Sequence, residues 1–154
     1  MITIGREDLT GAATRDLVAF HLGQMRQWSP PESVHALEVD ALLRPGIEVF
    51  TAWDGDRIAG IGALARLDAG RGELKSMRVA DDFRGRGVGR LVLEHLVHRA
   101  VEIGLQSLWL ETGSQPEFEP ARRLYRAAGF TTCPAFPPYR ADPASTFMTR
   151  SVAD

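Results

Sequence analysis

Residues 73–111 read ELKSMRVADDFRGRGVGRLVLEHLVHRAVEIGLQSLWLE, and the pattern changes period twice within them. Glu73 to Val79 has the length and composition of a strand. Val88, Leu91, Val92, Leu96, Ala100 and Ile103 then recur at helical spacing, and Gly104 supplies a C-terminal stop. Ser107 to Glu111 is a short apolar strand. A strand, a helix and a strand in succession predict a βαβ unit with the two strands parallel.

Outward from this unit the pattern is antiparallel. Ile47, Val49, Thr51 and Trp53 alternate with other residues, and Asp54-Gly55-Asp56 is a hairpin signal. Ile58 to Leu67 returns as a strand, loosened by Gly60 and Gly62, and joins the strand at 73–79 through a turn at 68–72. Met1 to Gly5 could be a further strand. Leu9 to Trp28 and Glu32 to Leu43 read as two helices separated by Ser29-Pro30-Pro31, with Asp8 or Thr10 as a possible cap for the first. Glu119 to Ala128 is a helix opened by Pro120 and ended by Gly129. Phe130 to Phe136 and Thr146 to Val152 are the last strands, separated by the proline-rich stretch PPYRADP. The sum is one α/β domain over residues 1–154, with a mixed, mostly antiparallel sheet and flanking helices.

Composition narrows the function classes. The chain has 154 residues, 44% hydrophobic and 25% charged, as expected of a water-soluble fold. A net charge of -2 speaks against a general nucleic-acid binder. No apolar run approaches the roughly 20 residues of a membrane span. One cysteine, Cys133, cannot form an internal disulfide, and no metal-ligand spacing occurs. The expected setting is a reducing cytoplasm, with no metal, nucleic-acid or membrane partner. Lys75 is the only lysine, so Schiff-base chemistry would rest on it alone.

The segment at 84–90 contains Gly85, Gly87 and Gly89 interleaved with Arg84, Arg86 and Arg90. Glycine costs about 1 kcal/mol in a helix interior, and neighbouring guanidinium groups repel. An incoming anion accounts for both. A helix starting near Gly87 offers backbone N–H groups with no internal partner, no Ser, Thr, Asp or Asn stands ready to cap them, and the helix dipole favours negative charge. Glycine lets a ligand approach the backbone closely. The segment therefore reads as a cradle for phosphate or diphosphate, against the plainer alternative of a solvated basic turn. Two other phosphate motifs fail on spacing. No Gly-Lys pair completes a P-loop, and Arg90 stands where a dinucleotide fingerprint needs glycine.

Arg84-Gly85-Arg86-Gly87-Val88-Gly89 resembles the [QR]-x-x-G-x-[GA] signature of the GNAT N-acetyltransferases. Ala121-Arg122-Arg123-Leu124-Tyr125 with Gly129-Phe130 resembles that family's A-x-x-L-Y-x-x-x-G-F segment at the family's spacing. The resemblance is close over residues 47–136, and ETGSQPEFEPARRLY is similar to a subgroup of small bacterial members. It implies acetyl-CoA as co-substrate, held between splayed parallel strands at 73–79 and 107–111. The pantetheine arm would lie on Met77, Arg78 and Val79, with the diphosphate on Arg84, Gly85, Arg86, Gly87, Val88, Gly89 and Arg90. Phe118 stands where the family often has asparagine, so Thr112 or Ser114 would take over that contact, or water would.

Acetyl transfer to an amine needs a proton acceptor for the amine, donors for the developing oxyanion and a proton for the departing thiolate. Tyr125 matches the family's tyrosine acid. Glu73 stands eleven positions before Arg84, the offset of the general-base glutamate in the family's histone-modifying branch, so the resemblance implies it as the base, with Glu111, Glu32 and His35 as competitors. The oxyanion donor is expected on the strand 73–79, near Met77. Candidate acceptor-binding residues are Ser29, Glu32, His35, Glu111, Tyr139 and Arg140, with Arg140 suited to a carboxylate and Glu32 to an amine. His21, His95 and His98 read as structural or exposed, and Trp109 as core. The sequence thus points to acetyl transfer to a primary amine of a small, amino-acid-like molecule. The alternatives are a silent acyl-CoA sensor and an enzyme acting on protein N-termini. A homodimer is possible.

Overall fold

The structure is a computed structural model describing residues 1–7, 11–28 and 44–153, with residues 21–26 and 28 described by their backbone alone. The expected second helix at 32–43 lies outside the described residues, as do Asp8 and Thr10. Strands β1 (Ile2–Arg6), β2 (Ile47–Asp54), β3 (Arg57–Arg66), β4 (Arg71–Val79), β5 (Ser107–Gly113), β6 (Thr131–Cys133) and β7 (Ser145–Ser151) form one sheet. The helices are α1 (Ala12–Trp28), α2 (Val88–Glu102) and α3 (Glu119–Ala127). The seven strands run in the order β1-β2-β3-β4-β5-β7-β6. Only β4 and β5 pair in parallel; the other neighbours are antiparallel. This is the mixed, mostly antiparallel sheet expected from the sequence.

The two faces of the sheet are closed differently. Val88, Val92, Leu93, Leu96 and Ala100 of α2 are buried at helical spacing and meet Leu64, Leu74, Leu108, Leu110 and Met148. Each of these Val and Leu side chains contributes about 1.5–3 kcal/mol by leaving water. Gly60 and Gly62, expected to loosen β3, instead make room for this helix. A Cβ on Gly62 would lie 2.8 Å from both Met77 Sδ and Val92 Cγ1. On the opposite face, Leu17 and Val18 of α1 cover Val49, Ile61 and Ala63.

Two irregularities prepare a cleft. The parallel pairing begins at Arg71 with Ser107 and ends at Leu74 with Leu110, although both strands continue. Their C-terminal halves therefore part. Between Ala63–Lys75 and Ile61–Arg78 the register advances by two residues on β3 and by three on β4. The extra residue makes a bulge, and Ser76 within it takes the left-handed region at φ 57. β5 runs two residues past its expected end because β7 pairs with it as far as Gly113. β6 is shorter than expected: Pro134 follows Cys133 and has no N–H for the ladder.

Candidate active site

The cleft between the diverging halves of β4 and β5 opens into a cavity of about 480 Å³. At one end lies the start of α2. Gly87 is its N-cap at φ 78, with no side-chain cap. The first helical bond runs from Leu91 N–H to the Gly87 carbonyl, so the amides of Val88, Gly89 and Arg90 precede the ladder. Gly85, at φ 76, and Gly87 have nothing within 4 Å of a built Cβ, so their glycine serves the backbone conformation. Gly89 does a different job, since its Cβ would meet Leu124 at 3.2 Å and Val79 at 3.4 Å. It lets α3 close on α2.

The arginines are less unbalanced than the sequence implied. Arg84 pairs with Asp81 at 3.1 Å, and Arg90 pairs with Glu94 at 2.8 Å. Arg86 stands over the Phe83 ring at 5.3 Å. Their mutual repulsion is thus relieved internally, and an anion is not required for that purpose. Arg84, Gly85, Gly87, Val88 and Gly89 line the cavity; Arg86 and Arg90 do not.

Met77, Arg78 and Val79 carry the wall of the cavity along β4. Ser76 and Met77 have no register partner on β3. Tyr125, projecting from α3, lines the same space while 6% exposed and edge-on to Phe130 at 5.8 Å. Burial, helped by the charge of Glu111, pushes its phenol well above the ordinary tyrosine range. It therefore keeps its proton at neutral pH. Phe118, at the position of the family's asparagine, is buried and lines the cavity beside Thr112. Ser114 instead faces Thr146, hydroxyl to hydroxyl at 2.7 Å, and is not part of the lining.

Two carboxylates occupy the other end. Glu73 is 2% exposed, which excludes a solvated turn-edge side chain. Its Oε2 accepts a hydrogen bond from the Tyr139 hydroxyl at 2.5 Å and pairs with Lys75 Nζ at 3.2 Å. Lys75 also donates to the Tyr139 oxygen at 3.0 Å. Both contacts of Glu73 fall on one oxygen. Burial, with the negative charge of Glu73 adding to it, pushes Glu111 up to about 8, while Lys75 pulls the other way. Glu111 lies two residues beyond Trp109, the register partner of Glu73, so both carboxylates project from one face.

Tyr139 reaches the site from the loop after β6, where its ring packs on Phe136 and Phe147. Arg140, its neighbour, does not line the cavity, so the expected carboxylate contact is not at hand there. Ser29, Glu32 and His35 lie outside the described residues. His95 packs edge-on against Phe50 at 4.7 Å and His98 is exposed. Trp109 is half-buried against Phe136.

A family model described as the Acetyltransferase (GNAT) family matches residues 15–130. The chain belongs to the GNAT acetyltransferase family. As a GNAT protein it is an acyltransferase. The uncharacterised N-acetyltransferase YsnE of Bacillus subtilis is 47% identical over 146 residues, covering 95% of this chain and 97% of the relative. The uncharacterised N-acetyltransferase YedL of Escherichia coli is 45% identical over 154 residues, covering 100% and 97%. A crystal structure of a GNAT family acetyltransferase from Elizabethkingia anophelis, with acetyl-CoA bound, superposes with a TM-score of 0.72 at 20% identity, covering 97% of each chain.

The GNAT cleft fits an acyl-CoA on its own chemistry. It offers uncapped helix amides at one end, a wall of strand backbone released from pairing in the middle, and a protonated phenol further in. Sequence reasoning missed three participants. Lys75 is invisible because its partner Tyr139 is 64 residues away. Ser76 owes its place to a bulge that leaves no composition signal. Arg122, 8% exposed, donates to the carbonyls of Gly113 at 2.6 Å and Gln115 at 3.0 Å, and so holds the turn between β5 and α3. It sits inside the A-x-x-L-Y segment, where an arginine reads as an exposed helix residue.

Proposed function

We propose that this GNAT protein moves an acetyl group from acetyl-CoA directly to a primary amine of a small molecule within a ternary complex. One observation carries the reading: the uncapped start of α2, Tyr125, the buried Glu73 and the half-buried Glu111 line a single cavity. Bound acetyl-CoA would supply an activated acyl carbonyl and a thiolate leaving group. Val88, Gly89 and Arg90 would hold its diphosphate through their amides, with Arg84 adding charge. Met77 and Val79 would line its pantetheine arm through their backbone. An N–H near the bulge at Ser76 would face the acyl oxygen.

Tyr125 donates the proton that the leaving sulfur needs; its raised pKa makes it a neutral donor across the working pH range. Glu73 takes the proton from the amine through Oε1, the oxygen that neither Tyr139 nor Lys75 occupies. A second assignment has its own support. Glu111, held at about 8, is matched to taking an amine's proton near neutral pH. In that assignment the charge of Glu73 helps to raise Glu111.

Thiol release from acetyl-CoA, screened against amino acids, polyamines, aminoglycosides and peptides, tests the reading. Turnover with small amines is the expected result. CoA binding with no release across the panel points to a silent sensor, and release with peptides alone points to a protein-modifying enzyme.

A further inference from the structure

Arg78 is placed oddly for a strand arginine. Its side chain is 9% exposed, and it lines the cavity. Its guanidinium lies 5.3 Å from the ring centre of Phe20 on α1. One terminal nitrogen reaches Asp81 Oδ1 at 3.3 Å, but Arg84 claims the same oxygen at 3.1 Å. Its Nε is buried and has no hydrogen-bond partner. Two residues earlier, the Ser76 hydroxyl is also buried without a partner and lines the same cavity. A guanidinium offers five donors, and a buried donor left unused is destabilising. Two such groups side by side call for an acceptor-rich ligand.

The alternation of β4 says from which side that ligand comes. Met77 and Val79 pack toward the α2 core, so Arg78 projects to the opposite face, toward α1. Glu73 lies five positions earlier, roughly 16 Å along a strand. Both residues line the same cavity, and that separation leaves room for a small molecule between them.

We infer that Arg78, assisted by the Ser76 hydroxyl, binds an oxyanion of the acceptor, so that the acceptor class is small amines carrying a carboxylate a few bonds from the nitrogen. The inference rests on the transferase reading above and names the substrate class of that same site. Arg78, rather than Arg140, then supplies the carboxylate contact. The other source of an oxyanion nearby is the diphosphate of CoA, and the test separates the two.

Kinetics of the full chain are measured with matched pairs, each an α-amino acid and its carboxamide. The wild type is expected to prefer the acid by at least about tenfold in kcat/KM, expressed mainly in KM, as fits a charge-assisted contact. Arg78→Gln brings that ratio to about one, and Arg78→Lys keeps part of it, because charge survives without the fork. The calorimetric Kd for CoA moves by less than about threefold. Equal turnover of acid and carboxamide by the wild type overturns the inference. So does an Arg78→Gln that weakens CoA as much as the acid, which assigns the guanidinium to the diphosphate. Should Arg78→Gln not fold, the wild-type pairs and Arg78→Lys decide. Release of thiol with no carboxylate preference defeats this inference alone, whereas no release with any amine defeats the transferase reading as well.

Discussion

At the scale of single residues, the proposed chemistry rests on Tyr125 and the two carboxylates. Replacing Tyr125 by Phe removes one hydroxyl and keeps the packing on Phe130. The expected outcome is a kcat lower by about 10²–10⁴ with a calorimetric Kd for CoA changed less than about threefold. Glu111 gives a pH test with a definite sign. Its folded pKa, about 8, lies above its ordinary 4.5, so the folded state keeps a proton the unfolded chain releases. Its effect on folding is most favourable below about 4.5 and is lost as pH rises toward 8. Glu111→Gln should therefore gain Tm relative to wild type between pH 5 and pH 9, read by thermal denaturation. In kcat/KM profiles with an acceptor that titrates outside this window, the variant of whichever carboxylate is the base loses the acidic limb. At this scale the motif was enough to single out Tyr125, which lines the cavity. The sequence was silent where the role depends on contacts across the chain, as for Lys75 with Tyr139 or Arg78 with Phe20.

The proposed cofactor binding rests on one element, the start of α2. Gly87 sits at φ 78, a conformation that costs a residue with a Cβ about 1–2 kcal/mol. Gly87→Ala meets no neighbour within 4 Å, so its whole effect falls on the backbone. Stability should drop by about that amount, and CoA affinity should fall with it as the amides of Val88 and Gly89 lose their aim. Denaturant unfolding and calorimetry on the same preparation check both. The period change from strand to helix located α2 to within a residue, and Gly104 marked its end. The bulge in β4 had no such mark, because it arises from pairing with β3 and parting from β5, and pairing is not written in either strand alone. Gly62 was legible as a glycine but not as a packing requirement, which appears only when Val92 and Leu96 close over it.

Across the whole molecule, one core anchors both walls of the cleft. Leu96 is fully buried between α2 and the sheet, so Leu96→Ala should cost about 2–5 kcal/mol, measured by denaturant midpoint. Acetyl-CoA should raise Tm in proportion to the logarithm of its concentration above Kd, because it binds the folded state alone. The meander of β2, β3 and β4 and the parallel pairing of β4 with β5 followed from the hairpin signals and the strand-helix-strand unit, whereas the places of β1, β6 and β7 in the order did not. The depth of the cavity did not, because it depends on how far β4 and β5 stay paired before separating.

The central claim is that the cleft between β4 and β5 seats CoA with its diphosphate on the first amides of α2. A crystal structure of the CoA complex tests it most directly. The diphosphate oxygens are expected within hydrogen-bond distance of the Val88, Gly89 or Arg90 amides, with the sulfur beside Tyr125. Density for CoA with the diphosphate away from this helix start, or the sulfur remote from Tyr125, would contradict the account.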